Sequence, residues 1–249
     1  MQIDTAWMQM LWNIKKHGTV KKKDDSEIIE IVDNHFFIDP PYRKNDFFEM
    51  NQDIFKRLVK AGLFDIANYP ISGDALANYV LSLDDPTKIY FNNYGRNIET
   101  DSDFVYTYPE RLLSYATCDS IAEDQKQYFE NQMEIMVRRL KNHKYSNRAV
   151  AVLYIPGVDG YAEDIPCLNW MQALISENQL ALHIMFRSND IYQAFPANML
   201  FLMYFGIKLV DELKETYPNL EFKGIYYNST SAHIYKTNEK EVLDLIEAI

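Results

Sequence analysis

The chain has 249 residues, 47% of them apolar and 14% aromatic, and a formal net charge of -11. That is enough apolar material for a large core, which excludes a disordered chain, and the acidic balance argues against a nucleic-acid-binding surface. No stretch reaches 18 apolar residues, so no membrane span is expected; the two cysteines, Cys118 and Cys167, fit a reducing cytoplasm better than a disulfide framework.

No Pro/Gly/Ser-rich linker or internal repeat divides the chain, so one domain over 1–249 is expected. Thr5 to Lys16 reads as a helix with Trp7, Met8, Leu11 and Trp12 on one face, ended by Gly18. Ile28 to Ile38 carries β-branched residues and reads as strand. Phe47 to Ala61 reads as a second helix, ending at Gly62. Ala122 to Leu140 has helical spacing, with Phe129, Met133, Met136 and Leu140 inward. Short β runs follow at Arg148 to Ile155, Cys167 to Ile175 and Leu180 to Arg187. Ala197 to Lys214 is helical and apolar nearly all round at its start, so it should be buried. Phe222 to Tyr227 is a last strand. Clustered strands with helices around them predict an α+β fold built on one large sheet.

Chemistry-bearing residues crowd the second half. Cys167 follows Asp164-Ile165-Pro166, which breaks the chain and places a thiol at the start of a strand. Alone, a Cys in an apolar run is most often a small buried hydrophobe. Arg187-Ser188-Asn189-Asp190 ends the next strand. An Arg fork beside a Ser hydroxyl suits a phosphate, although a strand-end Arg is commonly a surface ion pair. Asn198, in Phe195-Pro196-Ala197-Asn198, offers an amide to read a base edge or, equally, to cap a helix. His233 and Tyr235 alternate on an extended segment and so face the same way. Ser146-Asn147-Arg148 opens a strand and also fits a solvated turn. Lys21-Lys22-Lys23 is a charge run, usually a solvated face.

In this order the motifs resemble the thymidylate synthase and pyrimidine-nucleotide hydroxymethylase superfamily, closely from about Ser146 to Tyr235 and more weakly over the first 140 residues. The resemblance implies a three-layer α+β fold with one large mixed sheet flanked by helices. It implies a pyrimidine nucleotide monophosphate as substrate, 5,10-methylenetetrahydrofolate as cofactor, no metal, and a homodimer with shared active sites. Cys167, Asp190 and Tyr94 would form the catalytic set: Cys167 adds to C6 of the base, Asp190 meets the pterin, and Tyr94, in Asn93-Tyr94-Gly95-Arg96, lies near the base. Arg187 and Ser188 would bind the phosphate, with Arg148 reaching across to the partner's site and Lys23 standing where the family has a flexible basic loop. Asn198 would read the base, as a weak vote for uracil, and His233 with Tyr235 would hold the sugar 3′ hydroxyl.

The departures from the pattern are specific. Leu168 follows the Cys where a His is usual, Phe186 replaces a Gln, and Asn147 replaces the first of two arginines. The tryptophans are Trp7, Trp12 and Trp170, so the family's folate-packing pair has no evident match. Glu49 is the nearest candidate for the family's helix glutamate. The sequence runs 14 residues past Tyr235, so the family's C-terminal lid extension is expected to be missing. These departures favour water over hydride in the last step, hence 5-hydroxymethylation, with reductive methylation to thymidylate as the alternative and a noncatalytic nucleotide-binding relative as a third reading.

Overall fold

The computed structural model describes residues 1–40, 108–113, 115–118, 127–162 and 165–247. The helix expected over 47–61, and with it Glu49, Tyr94 and Asp164, lie outside the described residues. Helix α1 (Ile3–His17) buries Ile3, Ala6, Trp7, Met10, Leu11 and Ile14, one stripe at helical spacing. The predicted face is thus half right. At about 100° per residue Trp12 falls outside the stripe, and it is exposed under the Lys16 ammonium. Gly18 caps α1 with φ -66°, an ordinary extended backbone rather than a left-handed one. What demands glycine there is space. A Cβ would sit 2.4 Å from the Ile14 carbonyl oxygen and 2.6 Å from Ile29 Cγ2.

Strand β1 (Thr19–Lys23) pairs antiparallel with β2 (Ser26–Ile38), and Asp24, at φ 51°, makes the tight turn between them. The Lys21-Lys22-Lys23 run is therefore an edge strand, not a loop, and edge lysines discourage further strand addition. Helix α2 (Tyr108–Leu113) is the next described element, then β3 (Tyr115–Cys118) and β4 (Gln127–Glu130), which among the described residues pair only with each other. This corrects the helix expected over 122–140. Residues 127–130 are strand, and the helix, α3 (Gln132–Asn142), starts only after Asn131, whose side-chain oxygen accepts from Glu134 N at 3.1 Å. A capping Asn needs a non-helical backbone, so the apolar periodicity cannot run through it.

Strand β5 (Val150–Val152), the single-turn helix α4 (Pro156–Asp159), β6 (Leu168–Ser176), β7 (Gln179–Phe186), β8 (Asn189–Asp190), helix α5 (Phe195–Leu213), β9 (Glu221–Tyr235) and helix α6 (Glu239–Glu247) complete the order. The main sheet runs β1-β2-β9-β7-β6-β5, with β8 beside β9. It is mixed: β7 and β8 lie parallel to β9, and the other neighbours are antiparallel. This is the expected α+β arrangement of one large mixed sheet with helices packed on it. Helix α5 is the crossover that makes β7 and β9 parallel, and it is buried from Phe195 to Gly206. The indole N–H of Trp7 donates to the Ile191 carbonyl at 2.6 Å, tying α1 to the turn after β8.

One irregularity decides which side chains reach the site. In the main core cluster β9 contributes Ile225 and Tyr227, but further on Ala232 and Ile234; β2 contributes Ile29, then Ile38, while Ile28 is buried outside that cluster, opposite Tyr235. Both strands change parity at Asp33 and Thr230, which drop out of the register, and Asp33 takes φ 58°. Had the alternation continued, His233 and Tyr235 would point into the helical core.

Gly18→Ala should lower stability by about 1–3 kcal/mol, because the contact is with a backbone carbonyl that cannot rotate away. An unchanged denaturant midpoint would show that α1 can shift off β2 freely.

Candidate active site

Cys167 sits half-buried on the turn into β6. Its Sγ lies 3.5 Å from Ser188 Oγ, and its carbonyl accepts from Arg187 N at 2.8 Å. The Arg187 guanidinium folds back over the same turn. Nε donates to Pro166 O at 3.1 Å, Nη2 to Ile165 O at 2.6 Å and Nη1 to Ser188 Oγ at 3.1 Å. Predicted from sequence as a phosphate ligand, Arg187 is also the clamp that shapes the thiol-bearing turn.

Strand β8 carries the site onward. Asp190 pairs with His233 across the parallel β8–β9 ladder. Asp190 Oδ1 accepts from Tyr192 N and Gln193 N, both at 3.0 Å. Burial pushes its carboxyl up to about 6, against the pull of those two donors and of the Lys23 charge. His233 is 2% exposed, and its Nδ1 is buried with no hydrogen-bond partner among the described residues. Burial drives its pKa down to about 4, Lys23 and Arg187 push the same way, and Glu30 opposes them. The ring is thus neutral at pH 7. The Tyr235 ring meets it edge-on at 5.6 Å, and the Lys23 ammonium lies 5.8 Å from the Tyr235 ring centre.

The fold therefore assembles Cys167, Arg187, Ser188, Asp190, His233, Tyr235 and Lys23 at one end of the sheet. Asn198 follows in the first turns of α5, buried. It is not the helix cap, which is Ala194. Arg148 is not brought to this site. Extending the β5–β6 register places it opposite Leu174, six residues along β6 from Leu168 and so about 20 Å away. Tyr94 lies outside the described residues.

Sequence reasoning passed over three groups. The hydroxyl of Tyr108 accepts from Leu168 N at 3.1 Å, one residue past the thiol; its Tyr-Pro-Glu-Arg setting carried no signal. Glu30 pairs directly with His233 across β2 and β9, accepts from Ser231 Oγ at 2.5 Å and binds Lys21. Burial raises its pKa, but bonds from Lys21 and Ser231 outweigh that and leave it lowered. Beneath Ser188, Asn189 Nδ2 donates to the fully buried Tyr227 hydroxyl at 3.0 Å, and burial lifts that phenol far above its ordinary range.

A thiol on a clamped turn, a hydroxyl beside it, a buried neutral imidazole and a hydrogen-bonded carboxyl, gathered at one end of the sheet, are groups that could serve covalent catalysis. Residues 81–248 match the family model described as thymidylate synthase, and the chain belongs to that family. Among its relatives is a "Putative thymidylate synthase" of Methanothermobacter marburgensis, 32% identical over 144 residues, 58% of this chain and 57% of that protein. A protein of the same name from Methanosarcina mazei is 30% identical over 156 residues, 62% of this chain and 63% of the relative. One from Methanosarcina barkeri is 26% identical over 249 residues, 99% of this chain and 93% of the relative. The chain thus spans somewhat over half the length of the first of these relatives, and nearly all of the third. No described helix is long and apolar enough to cross a membrane.

The Asp190 shift has a stability consequence with a definite sign. Its carboxyl titrates near 6 in the folded chain and near 3.8 without the fold, so its contribution favours folding at pH 3.8 and below and is lost as pH rises through 6. Asp190→Asn should be more stable than the parent by about 1–3 kcal/mol at pH 7.5, and the gap should close toward pH 4. A gap independent of pH, read from denaturant melts, would mean that the carboxyl is not buried.

Proposed function

We propose that this protein transfers a one-carbon unit to C5 of a pyrimidine nucleoside monophosphate, with Cys167 as the nucleophile at C6. The observation that carries the reading is the placement of Cys167 Sγ on Ser188 Oγ, in a turn held by Arg187, whose charge also acts on the buried His233, with Nδ1 unpaired among the described residues. Addition of the thiolate across C5=C6 places electron density on C5 and O4, which makes C5 the nucleophile toward a one-carbon electrophile. Arg187, Ser188 and Lys23 supply cationic and hydroxyl donors for the phosphate. His233 Nδ1, buried and unsatisfied, fits a sugar hydroxyl whose binding would remove that deficit, and Tyr235 borders it. Asn198 reads the base, with an acceptor and a donor that suit O4 and N3–H of uracil.

Methylenetetrahydrofolate would supply the carbon at the oxidation level of formaldehyde. Asp190 supports this: Oδ1 accepts from two backbone N–H groups, and Oδ2, to which no described residue donates, can accept a ligand N–H. The final step is assigned to water, giving the 5-hydroxymethyl product. Trp7 is in the core, Trp12 is exposed on α1, and Trp170 is half-buried on β6, paired with Met185 and Val152. None of these positions provides an aromatic clamp beside Cys167 to hold spent cofactor for hydride delivery. Reductive methylation is the second reading, supported by the name "Putative thymidylate synthase" that these relatives carry.

The reading includes a homodimer with shared sites, for which the other face of the sheet offers a contact surface. Val152, Trp170 and Met185 form a cross-strand row there, with Val152 40% and Met185 39% exposed. His183 stacks on Tyr226 at 4.4 Å, and Phe37 lies 4.7 Å from the same ring. An apolar sheet face of this kind is a natural two-fold contact. With Arg148 about 20 Å from its own Cys167, its use lies in the partner's site.

Product mass from dUMP, dCMP, UMP and CMP with methylenetetrahydrofolate should show gain of CH2O; gain of CH2 would select thymidylate synthesis. Cys167→Ser should retain nucleotide binding with turnover below about a hundredth of the parent. Turnover above that level would remove Cys167 as the nucleophile, whereas a parent that forms no covalent adduct with 5-fluoro-deoxyuridylate and methylenetetrahydrofolate would leave a noncatalytic nucleotide binder. Mixed Cys167→Ser and Arg148→Ala subunits should recover activity that neither homodimer has, because one hybrid site holds both residues; no recovery after subunit exchange removes the shared site.

A further inference from the structure

The connection from β5 to β6, described over residues 153–162 and 165–167, leads to the thiol, and its described part is gripped from one short element far away in sequence. Gln132, at the start of α3, donates to Arg111 O at 2.7 Å and Val152 O at 2.9 Å and accepts from Val152 N at 2.9 Å. That fixes α2 against the point where the connection leaves β5. Tyr108, at the start of α2, accepts from Leu168 N where the connection ends. Between these points Arg111 spreads its fork over Asp159, with Nη2 to Oδ1 at 2.8 Å and Nη1 to Oδ2 at 3.3 Å. Asp159 is 3% exposed, and its Oδ2 also accepts from Ile155 N at 2.5 Å, which closes the turn of α4.

We propose that the Arg111–Asp159 pair is a positioning device for Cys167, holding the β5–β6 connection so that the thiol stays seated on Ser188. The proposal rests on the reaction assigned above and extends it to two residues outside the cleft. A buried ion pair is rarely more stabilising than well-packed apolar side chains of the same volume, so stability alone is a poor reason to keep one. A two-pronged fork on a carboxylate does something that apolar packing cannot, which is to set both distance and plane. Among the described residues, the connection between Leu153, which donates to Asn169 O, and Leu168 has its own backbone bonds only in the turn from Ile155 to Ala162, and no strand ladder. Its path to the thiol therefore depends on grips of this kind, Arg111 and Tyr108 from one side and Arg187 from the other.

The test is Arg111→Lys, which keeps the charge and loses the fork, with Asp159→Asn as the stronger variant; Arg111→Lys carries the test if Asp159→Asn does not fold. Hydrogen exchange should quicken about tenfold in residues 153–167, while β7 and α5 keep parental protection. The kcat should fall about tenfold to a hundredfold with KM for the nucleotide within about twofold, because misplacement affects the transition state and not ground-state binding. Unchanged exchange in 153–167 overturns the proposal. So does protection lost uniformly across the chain, or a loss confined to KM, since either is what a merely structural pair would produce. If the parent turns over no pyrimidine nucleotide, the reaction assignment falls, and the exchange measurement still decides whether the pair holds the connection.

Discussion

The site depends on one cation held against peptide carbonyls. Arg187 donates to Ile165 O and Pro166 O, and its own N–H donates to Cys167 O, so a residue just past the end of β7 holds the turn that starts β6, together with Asn169 Nδ2, which donates to Pro166 O at 2.8 Å. Carbonyls in such a turn have no ladder partner, and unpaired buried carbonyls are costly. A guanidinium with five donors in one plane can satisfy two of them and still reach Ser188. Because Ser188 leads directly into β8, the same clamp relates the thiol to Asp190 and, through the β8–β9 ladder, to His233.

Electrostatics inside the cleft run against the chain's overall charge. The protein is acidic, yet Lys23 and Arg187 both hold His233 neutral, and Lys23 draws Asp190 toward ionisation. Burial dominates both shifts and moves the imidazole and the carboxyl in opposite directions, because it disfavours the charged form of each. At neutral pH the result is an uncharged ring with an open nitrogen next to a carboxylate, flanked by cations on a hairpin and a strand end. Net charge is therefore a fair guide to the outer surface and a poor one to the substrate.

Local patterns were read correctly where one physical demand dominated. Strands β6 and β7 and helix α5 have long apolar runs whose burial follows from composition alone. Reading failed where a short-range choice overrode periodicity. Asn131 stops a helical pattern by capping, and the lysine run of β1 pairs as an edge strand despite its charge. Tyr108 gave no sign of its place beside Leu168, because that contact spans 60 residues.

The amino-acid sequence by itself determined the order of the chemical groups, the α+β class and the family resemblance, since each is carried by residue identity and short spacing. The tertiary structure alone decided which groups meet. The parity change at Asp33 and Thr230 turns His233 and Tyr235 out of the core, and no period-two reading of either strand reveals it. The parallel β8–β9 pairing sets Asp190 beside His233, 43 residues apart in the chain. The buried fork of Arg111 on Asp159 is likewise invisible in sequence. Side-chain type is a local property, whereas facing, burial and long-range pairing are settled only when distant strands share one sheet and one core.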